Sequence, residues 1–372
     1  MTGDLVAFPA AVHAGIWKVF PAVVLVCAAA FGGCGSREAG ETGLNQTAEK
    51  LSFSSRVETD SASGKQVVVL RQEGGHALEA RICPGAGANL FSLVFDEVPL
   101  ILGPESLATF DGSEYGMPVL YPTPCRIPWG KFSFEGRSFD FGVNREDTWI
   151  HGLVRATAWE YAEPTSDSLG ARVTVTLDFF PDGPLYKKFG YDHSLSLEYS
   201  LDRWGLKISY AVKNRGAERL PFGLGFHPYF NYPGSRDEVY LSVPAKGRME
   251  MTDLVPTGAI DKLEGLYDLT QPRQVAGLKL DDVFVGMVPE RPAVLEWRSS
   301  GVRLTLTSSA EFTHLIVYDQ PENSFFCVEN LTCSPDAHNL YAKGFAEESH
   351  LLIVPPGGES RGWVQYVIEG IK

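Results

Sequence analysis

The chain has 372 residues, of which 44% are hydrophobic and 12% aromatic, enough to build a full-sized core. Its formal net charge is −14 at pH 7, which argues against a nucleic-acid binder, because that class needs a basic face. An acidic surface also repels anionic substrates unless a local basic pocket overrides it. The composition therefore favours a neutral small molecule as the binding partner.

The first 34 residues have the pattern of an export signal. Lys18 precedes an apolar run, 19–31, that is too short to span a bilayer comfortably but is typical of a secretory signal. Two glycines stand directly before Cys34, as at a bacterial lipoprotein cleavage site. We therefore expect export to the periplasmic or cell-surface side, with Cys34 lipidated and the membrane reached only through that lipid anchor. An ordinary signal peptide and an uncleaved anchor are the alternatives.

Residues 35 to about 64 are rich in Ser, Thr, Gly and Glu, which predicts a flexible tether, because such a segment buries too little apolar surface to fold. From Lys65 onward, short runs alternate with period two or are β-branched, and Gly, Pro, Asn and Asp separate them. The clearest of these runs are 67–70, 171–177, 195–201, 206–212, 302–307 and 351–354. Residues 65–372 are thus predicted to form one all-β domain, a sandwich or a barrel.

Two features of this domain bear on cofactors and cysteines. No glycine-rich phosphate loop opens a helix, so the cofactor-binding α/β folds are disfavoured. Cleavage before Cys34 would leave four further cysteines in an exported chain, which could form disulfides or remain as buried thiols. These are Cys83, Cys125, Cys327 and Cys333.

The most informative segment is 221–230, with the sequence PFGLGFHPYF. His227 is flanked there by proline, glycine and aromatic residues, which can orient an imidazole and give a sugar ring a face to pack against. The alternative is a histidine that is simply satisfied in a loop. Glu329 interrupts the apolar run FFCVENLT, where a charge is costly unless it is paired or functional. Its alternative is a structural hydrogen-bond network.

Together with IHG at 150–152 and PCRIPWG at 124–130, these segments resemble the aldose 1-epimerase (galactose mutarotase) family over roughly residues 65–370. The resemblance implies a large antiparallel β-sandwich. It also implies an isomerase that interconverts the α and β anomers of a free hexose. By the same resemblance, His227 is the catalytic acid and Glu329 the catalytic base.

The resemblance further implies three substrate-binding residues, namely Arg126, His151 and Asp281. Asp282 is a rival for Asp281, since the register depends on one short motif, LDDVF. One departure is Cys125, which stands where the family has an asparagine beside the arginine.

Mutarotation removes a proton from O1 and delivers one to the ring oxygen O5, so one carboxylate and one imidazole suffice. No electron or phosphoryl group moves, and we expect no cofactor and no metal. His151 with His227 could suggest a metal site, but a third ligand at suitable spacing is missing from the sequence.

Three other functions remain open. The domain could be a non-catalytic carbohydrate-binding lipoprotein, because fold does not fix function. It could be part of a glycoside hydrolase, in which Glu329 and Asp281 would form the carboxylate pair. It could also be a hexose-6-phosphate epimerase, with a cationic cluster of Lys131, Arg145 and Arg155. We interpret those three as solvated surface charges.

Overall fold

A computed structural model describes residues 50–371 of the chain. The predicted export segment 1–34, with Cys34, and residues 35–49 of the predicted tether lie outside the described residues. Among residues 50–371, no helix combines the length and apolar character that crossing a membrane requires.

The chain is built almost entirely of strands. The first five form an antiparallel meander: β1 (Ser52–Thr59), β2 (Gln66–Glu73), β3 (Leu78–Cys83), β4 (Asn89–Phe95) and β5 (Val98–Pro99). Short strands follow: β6 (Val119–Leu120), β7 (Arg126–Pro128), β8 (Lys131–Phe134), β9 (Arg137–Asp140), β10 (Thr148–Ile150), β11 (Glu160–Tyr161) and β12 (Thr165–Ser166). Next come β13 (Gly170–Phe179), β14 (His193–Asp202), β15 (Gly205–Asn214), β16 (Leu220–Phe222), β17 (Gly225–Phe226), β18 (Tyr229–Asn231), β19 (Val239–Ser242), β20 (Gly247–Thr252) and β21 (Val255–Asp261).

The C-terminal third contributes β22 (Arg273–Gln274), β23 (Asp281–Val285), β24 (Ala293–Trp297), β25 (Val302–Ser308), β26 (His314–Asp319), β27 (Phe325–Leu331), β28 (Leu352–Val354) and β29 (Glu359–Gly370). Helices are short: α1 (Pro184–Phe189), α2 (Ala337–Ala342), α3 (Ala346–Ser349) and the 3₁₀ turns Arg236–Glu238, Gly265–Tyr267 and Arg298–Ser300.

Two large antiparallel sheets dominate the fold. One has ten strands in the order β11-β13-β14-β15-β29-β25-β24-β19-β22, with β12 paired to β13. The other has eight, in the order β21-β20-β23-β26-β27-β17-β6, with β18 paired to β27. Burial alternates strictly along β14, where the apolar residues of HSLSLEYSLD face inward. The fold is therefore the large antiparallel β-sandwich that the sequence predicts.

Aromatic side chains fill the space between the two sheets. Trp297 of the ten-stranded sheet is fully buried and lies 5.8 Å from Phe230 and 6.4 Å from Phe326, between ring centroids. The indole N–H of Trp297 donates to the carbonyl of Asn231, so its one polar atom is satisfied inside the core. This packing fixes the eight-stranded sheet, whose other face carries the site described below.

The predicted boundary of the tether is wrong at its C-terminal end. β1 lies inside the segment predicted to be flexible and pairs along its whole length with β2, from Ser52 against Glu73 to Thr59 against Gln66. The prediction failed because β1 is a polar strand, SFSSRVET, whose residues are exposed or only half-buried. Backbone pairing with the apolar β2 holds it in the fold, together with Phe53 and Val57, which pack half-buried against the core.

Of the two predicted alternatives for the cysteines, disulfides or buried thiols, the structure has the second. All four within the described residues are free and buried: Cys83, Cys125, Cys327 and Cys333.

Candidate active site

A cleft of about 350 Å³ opens over the eight-stranded sheet. The five residues that the sequence nominated for catalysis and substrate binding all line it: Arg126, His151, His227, Asp281 and Glu329. The remaining lining residues are Glu114, Tyr115, Cys125, Asn144, Arg145, Ile150, Arg155, Tyr229, Ile316, Tyr318 and Phe325. The structure therefore brings together residues that are spread over two hundred positions of sequence.

His227 stands at the floor of this cleft, directly after β17. Its backbone N–H donates to the carbonyl of Pro118, and its ring stacks on that of Tyr229 at 4.8 Å between centroids. β17 fits between its neighbours because Gly225 has no side chain: a Cβ there would lie 2.3 Å from a methyl of Leu331. The glycine and the aromatic residue around His227 thus fix the position of the imidazole.

Glu329 comes from β27, the strand next to β17, since Phe226 pairs with Asn330. Residues two apart on a strand share a face, so Glu329 points into the same cleft as Phe325. Glu329 Oε1 lies 3.3 Å from Nε2 of His227, and the two residues are only 3% and 9% exposed. A carboxylate and an imidazole therefore meet at a buried floor, one hydrogen-bond length apart.

His151 reaches the cleft through an unusual turn after β10. Cys125 and His151 both have left-handed backbone, with φ of 59° and 68°, and the N–H of His151 donates to the carbonyl of Cys125. Gly152 also has positive φ, and a Cβ there would lie 2.2 Å from the carbonyl oxygen of Tyr121. This His-Gly turn sets the His151 ring edge-on to that of His227, with 5.1 Å between centroids.

Asp281 and Asp282 start β23 and point to opposite faces of the sheet. Asp281 lines the cleft and lies 3.6 Å from the guanidinium of Arg126. Asp282 instead pairs with Arg248 at 2.8 Å, away from the cleft. Of the two candidates left open by the sequence, the geometry places Asp281 at the site.

Burial shifts the pKa values of the ionisable residues at the floor of the cleft. It raises the pKa of Glu329 well above its ordinary value, and the neighbouring Asp281 carboxylate acts in the same direction. Burial also lowers the pKa of His227 to about 3, with the charges of Arg155 and Arg126 contributing. The pKa of His151 is lowered well below its ordinary value, first by burial and then by His227. The shifts of Glu329 and His227 act in the same sense, because each favours the uncharged form of its group.

Three polar atoms of the residues at the floor have no hydrogen-bond partner. Glu329 Oε2, His151 Nδ1 and His227 Nδ1 are buried and, among the described residues, have no hydrogen-bond partner. Buried polar atoms are normally satisfied, so these atoms are available to the hydroxyls of a bound molecule.

The floor also holds a possible set of metal ligands that the sequence did not reveal. The ligand atoms of His227, Cys327 and Glu329 all lie within 4.8 Å of one another. The sequence shows no third ligand at suitable spacing near the two histidines, whereas the structure supplies a thiol beside His227 and Glu329. Cys327 lies two residues before Glu329 on β27 and pairs with Tyr229, so alternation along that strand could have identified it.

The sequence-based interpretation of the three basic residues as solvated surface charges holds for Lys131 and Arg145, which are exposed, and is wrong for Arg155. Lys131 is largely exposed and lies 3.7 Å from Asp140, outside the cleft. Arg145 and Arg155 do line the cleft, and Arg155 is partly buried, its guanidinium donating to the carbonyl of Ser113. Burial lowers the pKa of Arg155, and the neighbouring acidic groups oppose that shift.

Tyr229 lines the cleft beside His227, as expected for the aromatic residues of its motif, but Tyr115, Tyr318 and Phe325 were not predicted. Phe325 lies in the motif segment of Glu329, so its alternation with Glu329 could have identified it. Tyr115 carried no local signal.

Comparison with known proteins identifies relatives of the whole described domain. The sequence model of the aldose 1-epimerase family matches residues 68–367. The uncharacterized protein YihR of Escherichia coli is 26% identical over 260 residues, which cover 68% of this chain and 80% of YihR. The galactose mutarotase of Mus musculus is 31% identical over 172 residues, but these cover only 43% of this chain and 46% of the mouse protein.

Two solved structures share the fold. A galactose mutarotase-like protein from Clostridium acetobutylicum superposes with a TM-score of 0.77 at 24% identity, covering 86% of this chain and 99% of its own. The galactose 1-epimerase from Lactobacillus acidophilus gives a TM-score of 0.66 at 19% identity, covering 87% and 100%.

Proposed function

The chain belongs to the aldose 1-epimerase family, and we propose that it interconverts the α and β anomers of a free, unphosphorylated hexose. The observation that carries this proposal is the buried pair of His227 Nε2 and Glu329 Oε1, 3.3 Å apart at the floor of the cleft. A module that only binds sugars has no need for such an acid–base pair, which is costly to bury.

The two pKa shifts suit the reaction, since together they favour a neutral pair whose proton is on Glu329. Transfer of that proton from Glu329 to His227 gives the carboxylate–imidazolium form that starts the reaction. Glu329 then removes the proton from O1 while His227 protonates O5, the C1–O5 bond breaks, and the open-chain aldehyde forms. Rotation about C1–C2 and the reverse transfers close the ring as the other anomer, so atoms and protons balance.

The other cleft residues are assigned to holding the sugar. The Arg126 and Asp281 pair offers a donor and an acceptor to adjacent hydroxyls, and His151 adds a further polar atom at the floor. Tyr229, which stacks on His227, presents an aromatic surface to the apolar face of a pyranose.

Anomer-exchange spectroscopy by NMR tests the proposal directly. Purified protein should accelerate exchange between the anomeric protons of α- and β-glucose or galactose above the spontaneous rate. The acceleration should persist after treatment with a chelator, since the proposed chemistry needs no metal. Loss of activity with the chelator, restored by zinc, would assign the His227, Cys327 and Glu329 trio to a metal instead. A folded protein that binds hexose without accelerating exchange would be a binding module.

A hexose phosphate is the second candidate, because Arg145 and Arg155 line the cleft. Its weakness is charge balance: Arg155 already interacts with Asp111 and Glu114, and Arg126 lies beside Asp281. We therefore expect kcat/KM to be higher for glucose than for glucose 6-phosphate at physiological salt. A tenfold preference for the phosphate, about 1.4 kcal/mol of transition-state binding, would overturn the choice of a free sugar.

We also propose that the protein is exported and anchored through a lipid on Cys34. The support is the sequence pattern alone, an apolar run that ends in two glycines and a cysteine. Metabolic labelling with a fatty-acid analogue should label the wild-type chain and not Cys34→Ser. An unlabelled wild-type chain would reject the anchor.

A further inference from the structure

A second cleft, of about 610 Å³, adjoins the one that holds His227 and Glu329. The two clefts share Glu114 and Tyr115 in their linings, so a ligand in the first can extend past these residues into the second. The lining of the second is completed by Leu102, Gly103, Pro104, Glu105, Thr109, Phe110, Asp111, Ser113 and Ser324.

The chemistry of an aldose decides which part of the sugar faces this second cleft. Ring opening requires O1 and O5 to meet the buried pair at the floor. In a pyranose ring, C4 lies opposite C1 and C3 lies opposite O5. The C3–C4 edge therefore points away from the floor, towards the mouth where the two clefts meet. A substituent on O4 or O3 would leave the first cleft at that mouth.

Tyr115 stands at the junction as an exposed aromatic surface. It is 41% exposed, has left-handed backbone with φ of 61°, and tilts against Tyr229 at 5.9 Å between ring centroids. A non-glycine residue held in this strained conformation needs support from its surroundings.

A buried asparagine supplies that support. The amide of Asn89, fully buried, donates to the carbonyls of Gly112 and Tyr115 at 3.0 Å each and accepts from the N–H of Met117 at 2.9 Å. Gly116 packs so closely on Asn89 that a Cβ would lie 2.1 Å from its side-chain oxygen. The loop that presents Tyr115 is therefore built rigidly, as a binding platform needs to be.

The charge of the residues that line the second cleft determines which class of ligand it suits. Among the described residues that line it, the acidic side chains are Glu105, Asp111 and Glu114, and none is a lysine or an arginine. Arg155 of the first cleft interacts with Asp111 and Glu114, so three carboxylates stand against one guanidinium. Carboxylates accept hydrogen bonds from hydroxyls and repel anions, so the cleft suits a neutral polyol better than a phosphate or a uronate.

We propose that the substrate is a neutral oligosaccharide with a free reducing end. Its terminal unit reacts over His227 and Glu329, and the next unit, attached through O4 or O3, stacks on Tyr115 in the second cleft. This inference depends on the proposed mutarotase activity and names the substrate class of the same site.

The test compares glucose with three disaccharides by NMR of the reducing-end anomeric protons. We expect kcat/KM for cellobiose or laminaribiose, linked through O4 or O3, to exceed that for glucose about fivefold to tenfold, the effect of one well-stacked aromatic contact. Gentiobiose, linked through O6 next to the buried O5 edge, should be at least about tenfold poorer than cellobiose.

Variants of Tyr115 distinguish the loss of stacking from general damage to the protein. Tyr115→Ala should reduce the cellobiose-to-glucose ratio of kcat/KM to about one, whereas Tyr115→Phe should keep it, since the ring face and not the hydroxyl makes the contact. Trp204→Ala, at an exposed aromatic that lines neither cleft, is the matched control and should keep the ratio.

If the protein turns over glucose but kcat/KM for cellobiose is below a tenth of that for glucose, the oligosaccharide proposal is overturned and the mutarotase activity is left intact. An unchanged ratio in Tyr115→Ala, or gentiobiose as good as cellobiose, would also overturn it. Failure of every sugar to exchange would instead remove the mutarotase activity on which the inference depends.

Discussion

The floor and the mouth of the cleft differ in almost every physical property. At the floor, Glu329 and His227 are nearly inaccessible and lie one hydrogen-bond length apart on adjacent strands. At the mouth, Glu114, Tyr115 and Arg145 are exposed and lie on loops. Burial gives the floor its shifted pKa values, whereas solvent screens charges at the mouth. Under the proposed function, the floor would determine whether the reaction occurs and the mouth which molecule enters.

The largest effect should come from the floor. Glu329→Gln and His227→Asn each preserve side-chain size and remove acid–base capacity, so each should lower kcat for anomer exchange by about 10²–10⁴. Circular dichroism should show the wild-type strand signal in both. Near-normal kcat in either folded variant would show that the residue transfers no proton.

Between floor and mouth, Asp281 and Asp282 form a natural matched pair. Asp281→Ala should raise KM about tenfold with a smaller change in kcat, because the residue is proposed to hold a hydroxyl rather than to move a proton. Asp282→Ala removes a carboxylate of equal size on the opposite face and should leave KM unchanged, although it breaks the pair with Arg248. Equal effects of the two would contradict the assignment of Asp281 to the site.

His151 gives a further distinction among the residues near the floor. His151→Ala should raise KM severalfold and leave kcat largely intact, if its role is to position the sugar. Steady-state kinetics on the two histidine variants decides the matter. Loss of kcat alone in His151→Ala would mean that the roles of His151 and His227 are reversed.

The sequence allowed the strands to be predicted where alternation is strong and apolar. β14 reads HSLSLEYSLD, and its burial follows that alternation residue by residue. β1 was missed because SFSSRVET has only two apolar residues, Phe53 and Val57, too few for a clear alternation, and its pairing with β2 reveals it. Predictability thus followed the amount of apolar surface that each strand buries.

The site was predictable in membership but not in arrangement. Resemblance nominated His227 and Glu329, yet their contact arises from the pairing of β17 with β27, a long-range event without a local signal. The choice between Asp281 and Asp282 likewise depended on which face of the sheet each residue of β23 points to. Tyr115 could not be predicted at all, since a buried asparagine distant in sequence holds its loop.

The smallest expected effect concerns pH. An ordinary histidine titrates near pH 6.5, but burial lowers the pKa of His227 to about 3 and raises that of Glu329. Below the pKa of His227 the pair gains a second proton, and above the pKa of Glu329 it loses its only one. Activity should therefore fall on the acid side near pH 3 and on the alkaline side above the ordinary carboxyl range.

Between these limits the pair keeps one proton, so kcat/KM should vary by less than about twofold from pH 4 to pH 5, the range in which an unperturbed glutamate titrates. The measurement is kcat/KM for glucose by NMR exchange at constant ionic strength, with the spontaneous rate subtracted at each pH. Arg145→Gln, a change at the exposed mouth, should leave this plateau in place, because screened charges on the rim do not reach the buried pair. A titration between pH 4 and pH 5 in the wild type would mean that water reaches the buried pair in the free enzyme. The floor of the cleft would then be accessible to solvent, as the mouth is, and the contrast between the two regions would be wrong.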